Sequence, residues 1–335
     1  MLRILHDTKY DFIRHWKKAA ILTVAWIIVG LGFLAIHGVN KSIEFTGGTL
    51  IQLQFKHAPR IDDIRSVVDQ AGYPNSEITK FGSDTEYTVR AQPHAAAAGT
   101  APTAAATGDT TARIIQGAMR QRYGNDVTFG RSEFVGPRVG AELQRNAAIA
   151  VLISFMVTLI YLAVRFEWRF GLAAVIATAH DVLTTLAFMA MLRLEVSLTV
   201  VAAILTVIGY SLNDTIIIFD RVRENLRKQR KESLRDVLNR SINETLPRSV
   251  LTHATTLAAT LALLFFAGEL IRPFAWIMAF GIFTGTFSSI YVAGALLLWI
   301  ERKWPRPTGV EGKGAARAVA EERRRSRAES AVVSR

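Results

Sequence analysis

The sequence predicts a polytopic α-helical membrane protein with six transmembrane helices and a small external α+β domain between helices 1 and 2. Half of the 335 residues are hydrophobic and the mean hydropathy is +0.23, although the net charge is +12. The charged and the apolar residues occupy separate segments. Six apolar runs are each long enough to cross roughly 30 Å of hydrocarbon as a helix, and they cover 19–40, 146–164, 170–192, 196–219, 249–268 and 273–300.

The composition excludes several classes of protein. The segregated charge excludes a soluble enzyme with one large core, and the apolar content excludes a disordered chain. The absence of cysteine excludes disulfides, thiolate zinc sites and iron–sulfur clusters. No phosphate-binding loop, catalytic triad or dinucleotide fingerprint is present, and His180 and His253 lack metal-ligand partners at the right spacing. We therefore expect no hydrolytic site, cofactor or metal in this chain, and an ion gradient remains as its source of energy.

The basic residues predict an orientation in the membrane. Of the 40 Lys and Arg residues, 25 lie in the segments 1–18, 165–169, 220–247 and 301–335, whereas the short loops 193–195 and 269–272 carry one base and one acid each. Basic residues collect on the cytoplasmic side of membrane proteins, which predicts cytoplasmic N- and C-termini. Orientation and attraction to anionic lipid headgroups account for the charge, so we expect no binding of nucleic acid.

The segments outside the spans have different characters. Residues 1–18 form a cytoplasmic N-terminus before an uncleaved first helix, because the apolar run is longer than that of a signal peptide and no cleavage site follows. The external segment 41–145 mixes strand and helix patterns, as in a small α+β domain. Within it, alanine with interspersed Pro and Gly predicts a disordered insert over 91–112. The tail 301–335 is predicted to be a basic, disordered cytoplasmic extension.

Two charged residues inside the spans are candidates for proton coupling, because burying a charge in hydrocarbon is costly. Asp214 shares a polar stripe with Asn213, and Arg248 precedes a threonine stripe at helical spacing that includes Thr252, Thr255 and Thr256. If the two helix faces meet, Asp214 pairs with Arg248 when ionised and releases it when protonated. The alternatives are a packing hydrogen bond for Asp214 and a snorkelling anchor for Arg248.

Asp181, together with its neighbour His180, is a third candidate for proton coupling. His180 and Asp181 form a dyad near the middle of their span, as in a proton relay, and a structural hydrogen-bonded pair is equally compatible with the sequence. His253 is interpreted as a packing histidine. Gly281, Gly285 and Ser289 form a small-xxx-small row, which predicts close helix packing.

Four sequence motifs are specific enough to compare with known families. They are the residues Glu44, Phe45, Gly47 and Gly48 outside the first span, the His180–Asp181 pair, and the strings GYSLNDTIIIFDRVREN at 209–225 and NETLPRSVLTHATTL at 243–257. Over roughly 1–305 the sequence resembles the SecF family, the membrane subunits of the bacterial SecDF protein-export complex. The family pattern Asp-Phe-x-Gly-Gly is matched at 44–48 with glutamate in place of aspartate.

The resemblance implies a fold and a function. It implies membership of the resistance–nodulation–division superfamily and a location in the bacterial cell inner membrane. It also implies six spans and a periplasmic domain. It implies SecD, the SecYEG channel and the translocating preprotein as partners, and late, ATP-independent export driven by the proton-motive force. In the family an intramembrane Asp and Arg serve proton flow, and they match Asp214 and Arg248.

Two other functions are compatible with the residues alone. Half of a proton-driven exporter of lipids or small molecules would share the buried Asp and the external domain. A membrane scaffold without transport activity would leave the predicted pair of Asp214 and Arg248 unexplained.

Overall fold

The computed structural model describes residues 8–92, 104–228 and 232–305. In this part of the chain, six helical segments are long and apolar enough to cross a membrane, which confirms the six predicted spans. The first combines a 3₁₀ turn, Ile13–His15, with α1, Trp16–His37. The next four are α5 (Pro137–Arg165), α6 (Trp168–Met191), α7 (Leu198–Lys228) and α8 (Leu234–Phe266). The sixth combines α9 (Arg272–Phe287), a π-helical turn (Ser288–Ala293) and α10 (Gly294–Lys303).

Several helices extend beyond the predicted apolar runs. Helix α5 begins at Pro137 rather than at 146, so the last residues of the predicted external segment belong to a span. Helix α8 begins at Leu234 rather than at 249, after Ser233, whose hydroxyl accepts a hydrogen bond from the Asp236 N–H at 3.2 Å. The apolar run marks only the part of a helix that needs an apolar environment, whereas backbone hydrogen bonding continues through its polar ends.

The external domain is α+β, as predicted. Its four-stranded sheet has the order β2-β3-β1-β4 and is antiparallel throughout. The strands are β1 (Gly48–Phe55), β2 (Glu77–Lys80), β3 (Glu86–Ala91) and β4 (Val127–Val135), and the helices are α2 (Ile43–Thr46), α3 (Ile61–Gln70) and α4 (Ala104–Tyr123). Alternate residues of β1, including Ile51 and Leu53, are buried together with Ile64 and Ile115 of the helices.

The structure corrects the two predicted disordered segments. The insert predicted over 91–112 is wrong at both ends, because β3 includes Ala91 and α4 begins at Ala104. Alanine is the strongest helix former, and the burial of Ile115 and Met119 stabilises α4 as a helix. Residues 93–103 lie outside the described part. The tail predicted over 301–335 is wrong at its start, since α10 continues to Lys303, and 306–335 also lie outside the described residues.

Helix α7 is held tightly within the bundle. A Cβ atom built on Gly281 would lie 2.7 Å from Val207 Cγ1, and one built on Gly285 would lie 3.0 Å from Ser211 Cβ. Ser289, the third member of the predicted row, hydrogen-bonds with Thr215 at 3.1 Å. The row on the sixth span therefore makes a close helix contact, as predicted; the structure shows that its partner is α7, the helix that carries Asp214.

Candidate functional site

Asp214 lies in α7 and is turned towards α8. Its side chain is buried, with the residue 2% exposed, and its Oδ2 atom lies 3.6 Å from Nδ1 of His253. The Ser249 hydroxyl lies close enough to act on the carboxyl group, but among the described residues it forms no hydrogen bond. Asp214 Oδ2 has no hydrogen-bond partner among the described residues. A buried carboxyl group with an unused oxygen is costly as a packing element, so this arrangement suits a group that exchanges a proton.

His253 is the nearest ionisable neighbour of Asp214 among the described residues. The sequence pattern had indicated only a packing histidine. Its Nδ1 lies 2.6 Å from the carbonyl oxygen of Ser249, and its ring meets the Tyr210 ring edge-to-face at 5.2 Å between centroids. Because a carbonyl oxygen only accepts, Nδ1 carries the hydrogen and donates it. In the neutral imidazole Nε2 is then the free acceptor. The available signal was the spacing: Ser249 and His253 are four residues apart and share one helix face.

Arg248 does not form the predicted pair with Asp214. It is exposed on the surface of the helix bundle and, within the described ranges, makes no ion pair, although it acts on the carboxyl group at longer range. Successive residues of a helix point about 100° apart, so the rotation that turns Ser249 and His253 towards α7 turns Arg248 aside. The prediction of an Asp214–Arg248 contact is therefore wrong.

The supporting polar stripe also differs from the prediction. Asn213 is exposed although Asp214 beside it is buried. The hydroxyls of Thr252, Thr255 and Thr256 donate to backbone carbonyls three or four residues earlier, at 2.9–3.0 Å. The hydrogen bonds of the threonine hydroxyls therefore stay within α8. The bond from Thr252 to α7 uses its backbone carbonyl oxygen, which accepts from Tyr210 Oη at 3.2 Å.

A second buried carboxyl group lies between α6 and α7. Asp181 is 1% exposed, its Oδ1 lies 3.0 Å from Nδ1 of His180, and its Oδ2 accepts a short hydrogen bond from the Ser211 hydroxyl. The Asp181 backbone carbonyl accepts from Thr184 and Thr185. Ser211 and Asp214 are three residues apart on α7 and are therefore neighbours on its surface; Ser211 binds Asp181 of α6, whereas Asp214 lies beside His253 of α8.

The glycine motif outside the first span adopts a compact turn. Glu44 and Phe45 belong to α2, and Phe45 is buried. Gly47 and Gly48 have φ angles of +73° and +123°, and a Cβ atom on either would lie 2.9 Å from backbone atoms of Pro137 or Ala91. Both positions therefore require glycine. The motif packs the start of β1 against the start of α5.

Metal binding receives no support from this part of the molecule. Among residues 8–92, 104–228 and 232–305, no three His, Asp or Glu side chains come together as a possible metal-binding group. The expectation of a protein without metal or cofactor stays a prediction.

The chain is similar to proteins of the bacterial export machinery. Residues 115–303 match the family described as "Protein export membrane protein SecD/SecF, C-terminal", and residues 32–59 match "SecD/SecF GG Motif". The chain is 58% identical to the protein translocase subunit SecF of Gemmatimonas aurantiaca, covering 95% of this chain and 94% of the relative. It is 40% identical to that of Vibrio alginolyticus, covering 94% and 98%.

Solved structures agree with these relatives. The crystal structure of SecDF from Thermus thermophilus matches with a TM-score of 0.79 and 35% identity over 90% of this chain. SecDF in a super-membrane-facing form matches with a TM-score of 0.65 and 34% identity over 94%. This chain spans 40% and 41% of those longer chains, whereas it spans nearly the whole of the SecF relatives. The chain is a multi-pass membrane protein that belongs to the SecF family of protein-export membrane proteins.

Proposed function

We propose that this chain is an accessory subunit of the Sec protein translocase and couples the proton-motive force to late, ATP-independent export of preproteins. The observation that carries the proposal is the buried Asp214 carboxyl group beside His253, inside a span of a SecF-family chain. Such a group responds to a proton arriving from a gradient worth about 2.3 kcal/mol per charge per 100 mV. The names of the relatives favour translocation over export of lipids or small molecules.

The proposed switch uses His253 where the sequence alone suggested Arg248. When Asp214 is ionised, its carboxylate lies 3.6 Å from Nδ1 of His253, and in an environment of low polarity the negative charge attracts the polar imidazole N–H. When Asp214 is protonated, that attraction disappears and α7 and α8 are free to repack. Each proton that passes inward drives one such change. The Asp181–His180 pair, which is bound to the same helix through Ser211, is proposed to serve the same proton path.

SecD is proposed as the immediate partner. The solved SecDF chains are more than twice as long as the region that this chain matches. Three polar residues of the membrane-spanning helices are exposed when this chain is considered without a partner: Asn213, Arg248 and Thr255. Polar groups in spans are expected to face protein or water rather than lipid. We infer that SecD covers this face and supplies a counter-charge to Arg248, and that the pair acts with the SecYEG channel on the preprotein.

The proposed location is the bacterial inner membrane with both termini in the cytoplasm. The distribution of 25 basic residues over the proposed cytoplasmic segments supports this orientation. The external domain would then lie in the periplasm, where it would meet the emerging preprotein. The chain acts in this proposal as a transport subunit and not as an enzyme.

The test is preprotein release from inverted membrane vesicles after the ATP-driven steps are complete, with and without a proton gradient. Asp214→Asn should assemble but lose the stimulation by the gradient, and Asp214→Glu should keep part of it because it keeps the proton. Asp69→Asn, which changes an exposed carboxylate on α3, is the matched control and should respond as the unchanged chain does. A full response of Asp214→Asn would reduce Asp214 to a packing residue.

A further inference from the structure

The base of the external domain is joined by backbone hydrogen bonds to the loop between α6 and α7, residues 192–197. The Ser42 N–H donates to the Val196 carbonyl oxygen at 2.9 Å, and the Val196 N–H donates to the Asn40 carbonyl oxygen at 2.7 Å. Together they form one rung of a parallel pair between Lys41 and Val196. The segment that leads from α1 into the glycine motif and the segment that leads into α7 are therefore paired.

Glu44 extends this junction to the first turn of α7. Its Oε2 atom accepts a hydrogen bond of 2.6 Å from the Leu198 N–H, the first N–H of the helix. Ser197 acts from the other side, because its hydroxyl accepts from the Val200 N–H at 3.3 Å. The first N–H groups of a helix lack partners within the helix and carry partial positive charge. A carboxylate from another part of the chain thus satisfies the start of α7.

Arg90 ties the sheet to the same loop. It lies on β3, its side chain is 14% exposed, and its Nη2 atom lies 2.6 Å from Glu195 Oε1. Its Nη1 atom lies 2.8 Å from Glu77 of the neighbouring strand and donates to the Lys41 carbonyl oxygen at 3.2 Å. One guanidinium group therefore contacts two strands, the α1–α2 connection and the α6–α7 loop. The planar fork of arginine is suited to such a fixed junction.

We propose that Glu44 and Arg90 are positioning residues that hold the base of the external domain and the start of α7 as one rigid joint. Helix α7 runs without interruption from Leu198 to Lys228, roughly 45 Å at 1.5 Å per residue. It carries both Asp214 and Ser211, the partner of Asp181. A movement of this helix therefore reaches the external domain through the joint. This inference rests on the proposed proton coupling and assigns a physical role to the acidic residue of the glycine motif.

A cysteine pair at Lys41 and Val196 tests whether the joint stays closed during export or has to open. The two residues form the rung described above, and both line the same open pocket. Paired strands lie about 4.8 Å apart, which is within the Cα separation that a disulfide bridges. The chain has no cysteine of its own, so Lys41→Cys with Val196→Cys provides one defined cross-link in the full complex with a cysteine-free SecD.

The first measurement is the alkylation rate of the single variant Val196→Cys in native membranes, which does not depend on export. Glu44→Ala should accelerate alkylation about tenfold, because loss of a helix cap shifts the local equilibrium by roughly that factor. Glu44→Gln, whose amide oxygen still accepts a hydrogen bond, should stay within about threefold of the unchanged chain. Lys56→Gln with Asp126→Asn removes an exposed ion pair elsewhere in the domain and is the matched control. Equal alkylation rates in all four backgrounds would overturn the proposal.

The second measurement is gradient-driven preprotein release with the cross-link closed or open. With Glu44 present, the oxidised pair should export as well as the reduced pair, because a rigid joint does not open. With Glu44→Ala, export should fall, oxidation should restore it, and reduction should lower it again. Loss of export on oxidation in the Glu44 background, or failure of oxidation to rescue Glu44→Ala, would overturn the joint. Asp214→Asn in parallel reports on the proposed proton coupling, so failure of that proposal is recognised separately.

Discussion

Replacing Gly281 by alanine tests how tightly α9 packs on α7. The new Cβ atom would lie 2.7 Å from Val207 Cγ1 and closer still to Cγ2, whereas carbon atoms in good contact are about 3.5–4.0 Å apart. Val207 is itself buried, so its methyl groups cannot turn into open space. The two helices must separate or Val207 must leave its rotamer, and overpacking of this kind costs about 1–3 kcal/mol. We expect a loss of that size in the free energy of unfolding, measured by denaturant titration in detergent micelles.

Two further variants make this prediction specific. Gly32→Ala on α1 is the matched control, because no atom lies within 4 Å of a Cβ atom built there, and it should be neutral or stabilising by up to about 1 kcal/mol. Val207→Ala removes both clashing methyl groups. In the double variant with Gly281→Ala, the cost should be about 1–2 kcal/mol smaller than the sum of the single costs. Additive costs, or equal effects of the two glycine substitutions, would refute the packing argument.

Three other predictions follow from the described contacts. Burial raises the pKa of Glu195 above its ordinary value of 4.5, although the attraction of Arg90 opposes this shift. Because the folded state then holds the proton more tightly than the unfolded state, unfolding titrations should show the unchanged chain losing stability relative to Glu195→Gln as the pH rises from 4.5 through the raised pKa. Ser211→Ala should lower the free energy of unfolding in detergent by about 1–3 kcal/mol, because it removes the donor to the buried Asp181 carboxyl group. In the double variant Ser211→Ala with Asp181→Asn, the loss should be smaller than the sum of the two single losses. Ile115→Ala should lower the free energy of unfolding by about 2–5 kcal/mol, since Ile115 is fully buried beneath the sheet, and an unchanged value would contradict the place of α4 in the domain.

Two buried carboxyl groups and one close helix contact could be predicted from the sequence. Asp181 and Asp214 stand alone in long apolar runs, and both are buried. The row of Gly281, Gly285 and Ser289 also indicated a close helix contact, which the structure places against α7. These predictions succeed because hydrocarbon penalises every exposed polar group and rewards small residues where helices meet. The extent of the helices was less accessible, since polar ends of α5 and α8 carry no hydropathy signal.

The sequence by itself determined that this protein has six spans, an α+β domain after the first of them and buried carboxyl groups in the bundle. Only the tertiary structure decided which groups face one another: His253 rather than Arg248 lies beside Asp214, and Glu44 reaches the first N–H of α7 from 154 positions earlier in the chain. The physical reason is that helical periodicity fixes which residues share a face. The rotation of each helix against its neighbours depends on the packing of all of them together.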